Sequence, residues 1–193
     1  MTTTTRTKQQ ERLRAMIEVA IMVALATVLS MIKLYELPLG GSITLLSMLP
    51  ISVLSIRLGL RWGLCGGFLH GTIQLFLDLA RIMTWGLTPV SLVGCFLFDY
   101  LVAFSAIGLD GILRQHGRGG FIGGIAFAML IRFCSHLISG TLIFDAWLPD
   151  GWSNPFFYSV CYNGSYMRPE IAFTVIAAML LTKTPTFRRL LVT

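Results

Sequence analysis

Apolar residues in this chain fall in long blocks, not in stripes. Blocks run from about Ala15 to Ile32, Ile43 to Ile56, Trp62 to Leu79, Thr88 to Leu113, Gly120 to Phe144 and Met167 to Leu181. A helix crossing a bilayer needs roughly 20 mostly apolar residues, fewer when it is packed against others. The pattern therefore predicts an all-α protein, a six-helix transmembrane bundle with no extramembrane domain large enough to fold alone. Residues 1–14 read as a polar basic cytoplasmic arm, residues 15–183 as a single membrane domain and residues 184–193 as a cytoplasmic tail. The second block is short and carries Pro50 inside it. The arm is not a cleavable signal, because the apolar stretch after Arg14 runs straight into a spanning segment.

Composition agrees. Of 193 residues, 55% are apolar and only 12% charged, about half the charged share of a soluble domain. The formal charge of +6 would suggest nucleic acid in a soluble protein. Here the cations flank apolar blocks, where they set topology, and no basic patch interleaves with aromatic residues. Nucleic acid is therefore rejected as a partner. With the N-terminus inside, the cytoplasmic segments hold Arg6, Lys8, Arg12, Arg14, Arg57, Arg61, Arg114, Arg118, Lys183, Arg188 and Arg189, eleven of fifteen basic residues. Both termini are then cytoplasmic. The segment from Asp145 to Tyr166 lies outside, with Trp147 and Trp152 at the interface. The four cysteines, Cys65, Cys95, Cys134 and Cys161, read as small buried hydrophobes.

The stretch RLGLRWGLCGGFLHG places Gly59, Gly63, Gly67 and Gly71 four residues apart. That spacing lets helix backbones approach closely in lipid. No internal repeat supports an inverted-repeat carrier.

Ionisable residues inside a bilayer are costly and default to functional candidates. Asp78 with Arg81 reads as a local i,i+3 ion pair, and Asp110 with Arg114 as an i,i+4 pair. Asp99 differs, since no basic residue lies within a helical turn. It needs a partner from another helix, a water-filled cavity or a cationic ligand. Arg132 and His136 are i,i+4 neighbours that can face one cavity, with Arg132 a candidate counterion for Asp99 or Glu170. Together Asp99, Tyr100, His136, Tyr158 and Asn163 suit a small, flat, cationic heterocycle. Metalloprotease, nucleophile-elbow and phosphate-loop motifs are missing. Ser135 and His136 are adjacent on a helix and point apart, against an intramembrane protease. The protein reads as no enzyme, with no cofactor and no metal.

At these residues the chain resembles the thiamine-specific substrate-binding subunits (S components, ThiT or YuaJ type) of energy-coupling factor vitamin transporters. The resemblance spans Ile17 to Lys183. EVAIMVALATVLS, with Ala20 and Ala24 four apart, resembles the family's helix that meets the coupling subunit. LPISVLSIRLGLRWGLCGGFLHG, FLFDYLVAF, RFCSHLISG and FYSVCYNGSYM resemble its other conserved segments. The resemblance implies that Asp99 contacts an aminopyrimidine, with Tyr100, His136, Tyr158 and Asn163 in the pocket. It implies docking through Ala20 and Ala24, one coupling transmembrane subunit and two ATP-binding subunits as partners, and a multi-pass place in the prokaryotic plasma membrane. Three departures stand out. Asp99 stands where the family has a glutamate, so the carboxylate is one methylene shorter here. ELPLGGS has no tryptophan where the family places one over the thiazolium, and Phe144 replaces another, with Trp85 or Tyr35 as possible substitutes. The implied function is capture of thiamine from outside for ATP-driven uptake. The alternatives are a thiamine-precursor pyrimidine or B6 vitamer on the same fold, or a structural membrane protein.

Overall fold

The computed structural model describes residues 7–185 and Phe187. Arg6, Arg188 and Arg189 lie outside the described residues. Helix α1 spans Lys8–Met31. Thr7 caps it reciprocally, taking the Gln10 amide while the Gln10 side chain takes the Thr7 amide. The second half of the expected polar arm is thus the first two turns of this helix. A two-stranded antiparallel hairpin follows, β1 Lys33–Glu36 and β2 Ser42–Thr44. Gly40 at φ 91° makes its tip.

The second helical segment is α2, Leu49–Leu58, not 43–56. Pro50 sits at its first turn, where the missing N–H costs nothing, so it starts this helix and does not interrupt it. Ile43 belongs to the hairpin. Gly59 at φ 90° turns the chain into α3, Leu60–Met83. The fourth segment is continuous but changes pitch. It runs through α4 (Pro89–Cys95), a π-helical turn (Phe96–Val102), α5 (Ala103–Ile107) and a 3₁₀ stretch (Gly108–His116). Helix α6 spans Gly117–Leu142. Helix α7 spans Pro155–Leu181 and begins well before the expected Met167. Asn154 caps it by accepting the Phe156 and Phe157 amides, with Pro155 at the first position.

The molecule is apolar outside and buries polar groups within its apolar core. Ile17, Ile21, Phe76, Val90, Val93 and Leu142 are all more than half exposed, while Ser52, Ser55, His70, Asp110, Arg132 and Glu170 are buried. That is the arrangement for a hydrocarbon solvent, in which polar groups must be satisfied internally. Lys8–Met31 and the joined stretch Pro89–Leu142 are long and apolar enough to cross a membrane.

The glycine stripe of α3 makes close backbone contacts. A Cβ on Gly67 would lie 2.5 Å from the Phe104 carbonyl oxygen, and one on Gly71 would lie 2.7 Å from that of Tyr100. Ser55 Oγ donates to the Gly108 carbonyl at 2.5 Å and accepts from the Gly111 amide at 2.9 Å, so α2 joins the same seam. Asp110 does not pair with Arg114. It is fully buried beside Ser52, while the Arg114 guanidinium lies against Gly59. The cause is pitch. In a 3₁₀ turn of three residues, positions i and i+4 no longer share a face.

Candidate functional site: a polar cavity under the hairpin

One cavity lies among α1, the hairpin, α3, the π-helical turn, α6 and α7. Its deep wall is built on Asp99. A π turn carries one residue more than an α turn and re-aims side chains, and such turns are frequent at functional sites. Asp99 sits within it. Asp99 Oδ1 lies 3.0 Å from His136 Nδ1, and Oδ2 accepts from Ser139 Oγ. Arg132 Nε lies 3.3 Å from His136 Nε2. Arginine can only donate, so Nε2 accepts, and the ring proton sits on Nδ1 facing Asp99. His136 is therefore a neutral relay between a cation and an anion.

Arg132 makes no direct ion pair with Asp99 or Glu170 among the described residues. Its Nη1 lies 2.8 Å from Met48 Sδ, and its guanidinium stacks 4.5 Å above the Phe104 ring. Glu170 instead accepts the Thr44 amide at 2.8 Å and the Thr44 hydroxyl at 2.7 Å. Asn163 is buried. Its Nδ2 donates to the Ser159 carbonyl and Oγ, each at 3.0 Å, and its Oδ1 accepts from Tyr166 at 2.7 Å. One lone pair of Oδ1 remains for a further donor.

The mouth has different chemistry. Asp78 Oδ1 pairs with Arg81 Nη2 at 2.7 Å, as the i,i+3 spacing predicts, and Oδ2 accepts from the Tyr100 hydroxyl at 3.0 Å. Arg81 Nη1 reaches Glu36 on the hairpin, and Lys33 Nζ pairs with the same carboxylate at 2.6 Å. The Lys33 hydrogen bond, with Arg81 adding to it against an opposing effect of burial, holds the Glu36 carboxyl below its ordinary range. Aromatic rings line the rest. Trp85 meets Phe144 edge to face at 5.6 Å, and Tyr158 lies 5.9 Å from Tyr162.

The hairpin is seamed to α7 along one face, because positions 162, 166 and 170 recur every four residues. The Gly41 amide donates to Tyr162 at 3.2 Å, and a Cβ at Gly41 would meet the Tyr166 ring at 2.6 Å. Glu170 completes the seam at Thr44.

The family model described as "Thiamine transporter protein (Thia_YuaJ)" matches residues 16–188. The chain belongs to the thiamine transporter family. It is 33% identical over 190 residues to the thiamine transporter ThiT of Bacillus subtilis, covering 91% of this chain and 94% of that protein. It is 27% identical over 197 residues to the ThiT of Lacticaseibacillus paracasei, covering 92% of each. A solved structure of ThiT from Listeria monocytogenes superposes with a TM-score of 0.72 at 26% identity, covering 92% of this chain and 98% of that one. The family and the apolar exterior together make this a membrane transport protein.

Within this thiamine transporter family member, seven of the residues expected from sequence line this same cavity. Asp99, Tyr100, His136, Tyr158, Asn163, Phe144 and Trp85 all reach it. Tyr35 does not line it and is 58% exposed on the hairpin. Ala20 and Ala24 lie on the exposed side of α1, away from the buried Val19 and Val23. Ser139, Tyr166 and the Thr44–Glu170 bond were not expected from the sequence. The four-residue recurrence of Tyr158, Tyr162, Tyr166 and Glu170 was the signal that could have found the seam.

Proposed function

We propose that this protein is the substrate-binding membrane subunit of an energy-coupling factor importer, capturing thiamine from outside the cell for ATP-driven uptake. It sits in the prokaryotic plasma membrane as a multi-pass protein with six spanning segments and both termini cytoplasmic. One observation carries the reading: a carboxylate in an apolar helix, Asp99, opens onto a cavity walled by aromatic rings, with uncharged hydrogen-bond partners in His136 and Ser139. An anion so placed favours an amine-bearing, cationic guest. The aminopyrimidine of thiamine offers an exocyclic amine to Asp99, and the rings offer π faces to its charged half. The sequence carries no phosphate-loop motif, so the energy comes from partners. These are two ATP-binding subunits and one coupling transmembrane subunit, onto which the Ala20 and Ala24 face of α1 docks.

The test is a ligand panel read by the fluorescence of Trp85, which lines the cavity. Thiamine is expected to bind at least about tenfold more tightly than its isolated pyrimidine or a B6 vitamer, a difference of roughly 1.4 kcal/mol. Equal or tighter binding of the pyrimidine or the B6 vitamer would replace thiamine as the substrate. Absence of any saturable signal would make the polar residues structural.

A further inference from the structure

Arg132 lines the cavity, and a guanidinium is an odd wall for a cationic guest. Its contacts are with the protein. Nη1 lies 2.8 Å from Met48 Sδ, the guanidinium sits over the Phe104 ring at 4.5 Å, and Nε lies 3.3 Å from His136 Nε2. Arg132 and His136 are both buried and stand one turn apart on α6.

That last contact fixes a proton. A ring nitrogen facing an arginine donor must offer its lone pair. Nε2 is therefore bare, and the single ring proton lies on Nδ1, 3.0 Å from Asp99 Oδ1. The other tautomer would set two donors against each other at Arg132 and two acceptors against each other at Asp99. The second clash is relieved only if Asp99 takes up a proton and becomes a donor itself. A doubly protonated ring meets the same donor clash at Arg132. Tyr166, edge-on to the ring at 6.2 Å, gives its hydroxyl proton to Asn163 Oδ1 and donates to neither ring nitrogen. On the far side Ser139 Oγ donates to Asp99 Oδ2. Asp99 thus accepts from both neighbours as an anion, and a carboxylate with about four lone-pair sites keeps some for a guest.

We infer that Arg132 is a positioning residue for ligand capture: its Nε–H holds His136 in the Nδ1–H tautomer, and through that ring holds Asp99 in the ionised, accepting form that takes the guest's amine. Arg132 acts on the guest only through these two side chains, which is how a cation belongs in the wall of a site for cations. This rests on the proposed thiamine capture and deepens it.

The experiment pairs nitrogen NMR of isotope-labelled histidine rings in the full-length, ligand-free protein with thiamine titrations read by tryptophan fluorescence. The chain has three histidines, and His136 is assigned by its loss in His136→Asn. The wild type is expected to show a pyridine-type resonance for His136 Nε2 and a pyrrole-type one for Nδ1. In Arg132→Met, which removes the donor and keeps an apolar stem, the two tautomers are expected to mix. Thiamine affinity is expected to fall there by about tenfold or more, the scale of one charged contact. Across Arg132→Met, Arg132→Lys and Arg132→Gln the affinity is expected to fall in step with the Nδ1–H fraction. His136→Asn supplies the control, because its amide keeps a donor near the Nδ1 position and has no tautomer to set. In that background Arg132→Met is expected to change affinity by less than about threefold. A wild-type ring protonated on Nε2 overturns the inference. So does a variant that loses affinity with the tautomer intact or mixes the tautomers without losing affinity, and so does an equal loss from Arg132→Met in both backgrounds. A wild type that shows the Nδ1–H ring but binds no thiamine would instead remove the thiamine reading itself.

Discussion

Replacing Asp99 by asparagine removes one negative charge and one acceptor from the deep wall without changing its volume. In the ligand-free protein the carboxylate accepts from His136 Nδ1 and from Ser139 Oγ, and its side chain is 19% exposed. Asparagine keeps one acceptor oxygen, so one of these two bonds survives. The loss from a single internal hydrogen bond is about 1 kcal/mol. Arg132 is not stranded, because it never touched Asp99: its contacts are His136, Met48 and the Phe104 face. The large penalty of about 3–5 kcal/mol that follows from breaking a buried ion pair is therefore not expected. The ligand side differs. A carboxylate hydrogen-bonded to a charged or amine-bearing guest contributes roughly 1.5–3 kcal/mol, or about ten- to hundredfold in affinity. The assay pairs thiamine titration by tryptophan fluorescence with thermal melting of the ligand-free protein. A fall in affinity of that size with a small shift in melting is the expected result. Unchanged affinity with a collapse in melting temperature would show that Asp99 is structural and that the reading of the deep wall is wrong.

Four further outcomes follow from the geometry. Gly67→Ala pushes a methyl carbon to 2.5 Å from the Phe104 carbonyl oxygen and should destabilise the ligand-free protein by about 1–3 kcal/mol in a melting assay, whereas Gly119→Ala, with open space around it, should not. Glu36 has a depressed folded-state pKa, so its stabilisation of the hairpin is present above its unfolded value and disappears as pH falls through the folded one; hydrogen exchange at residues 33–44 should rise over that acid window in the wild type, and Glu36→Gln should abolish the dependence. Ala24→Trp, on the exposed side of α1, should abolish uptake while leaving thiamine binding intact, and unchanged uptake would remove the docking role. Cysteine placed at position 152 should be labelled from outside intact cells and cysteine at 116 only after permeabilisation, the reverse pattern inverting the proposed topology.

Part of the cavity lining was legible because polar residues are conspicuous in apolar blocks. Asp99, Tyr100 and His136 interrupt such runs, and a carboxylate there with no basic residue within a helical turn demands a partner. What stayed hidden depended on long-range contact or on backbone pitch. Thr44 and Glu170 are 126 positions apart, and nothing local marks Thr44 as the partner of that acid. The hairpin was lost inside an apolar run, since ITLLSMLPI reads as helix until Pro50 is recognised as a helix start. The early beginning of α7 was lost because NPFFYSVCYNG carries aromatic and polar residues that suit an interface, although Asn154 before Pro155 is a helix-start signal in plain view. The Asp110–Arg114 pairing failed because the i,i+4 rule assumes 3.6 residues per turn and the chain there winds at three.

The two ends of the bundle are built from different chemistry, and that division is what allows a cavity in so small a protein. Toward Arg57 and Arg114, the seam of Ser55, Gly63, Gly67, Gly108 and Gly111 brings backbones into contact and leaves no room between helices. In lipid there is no hydrophobic drive to press helices together, so this dense contact supplies the cohesion. Toward the hairpin the same helices carry large polar and aromatic side chains that hold the backbones apart, and the space between them is the cavity. A cavity weakens packing, and here the compensation is covalently local and polar. The hairpin bridges the open end, bonded to α7 through Tyr162 and Glu170 and to α3 through Glu36 and Arg81. The two attachments differ in kind. Glu170 is buried, with a hydrogen bond from each Thr44 donor, whereas Glu36 and Arg81 are exposed enough for water and salt to screen them. The side of the hairpin facing α3 is accordingly the weaker attachment, and it is the side on which Asp78 and Trp85 flank the cavity.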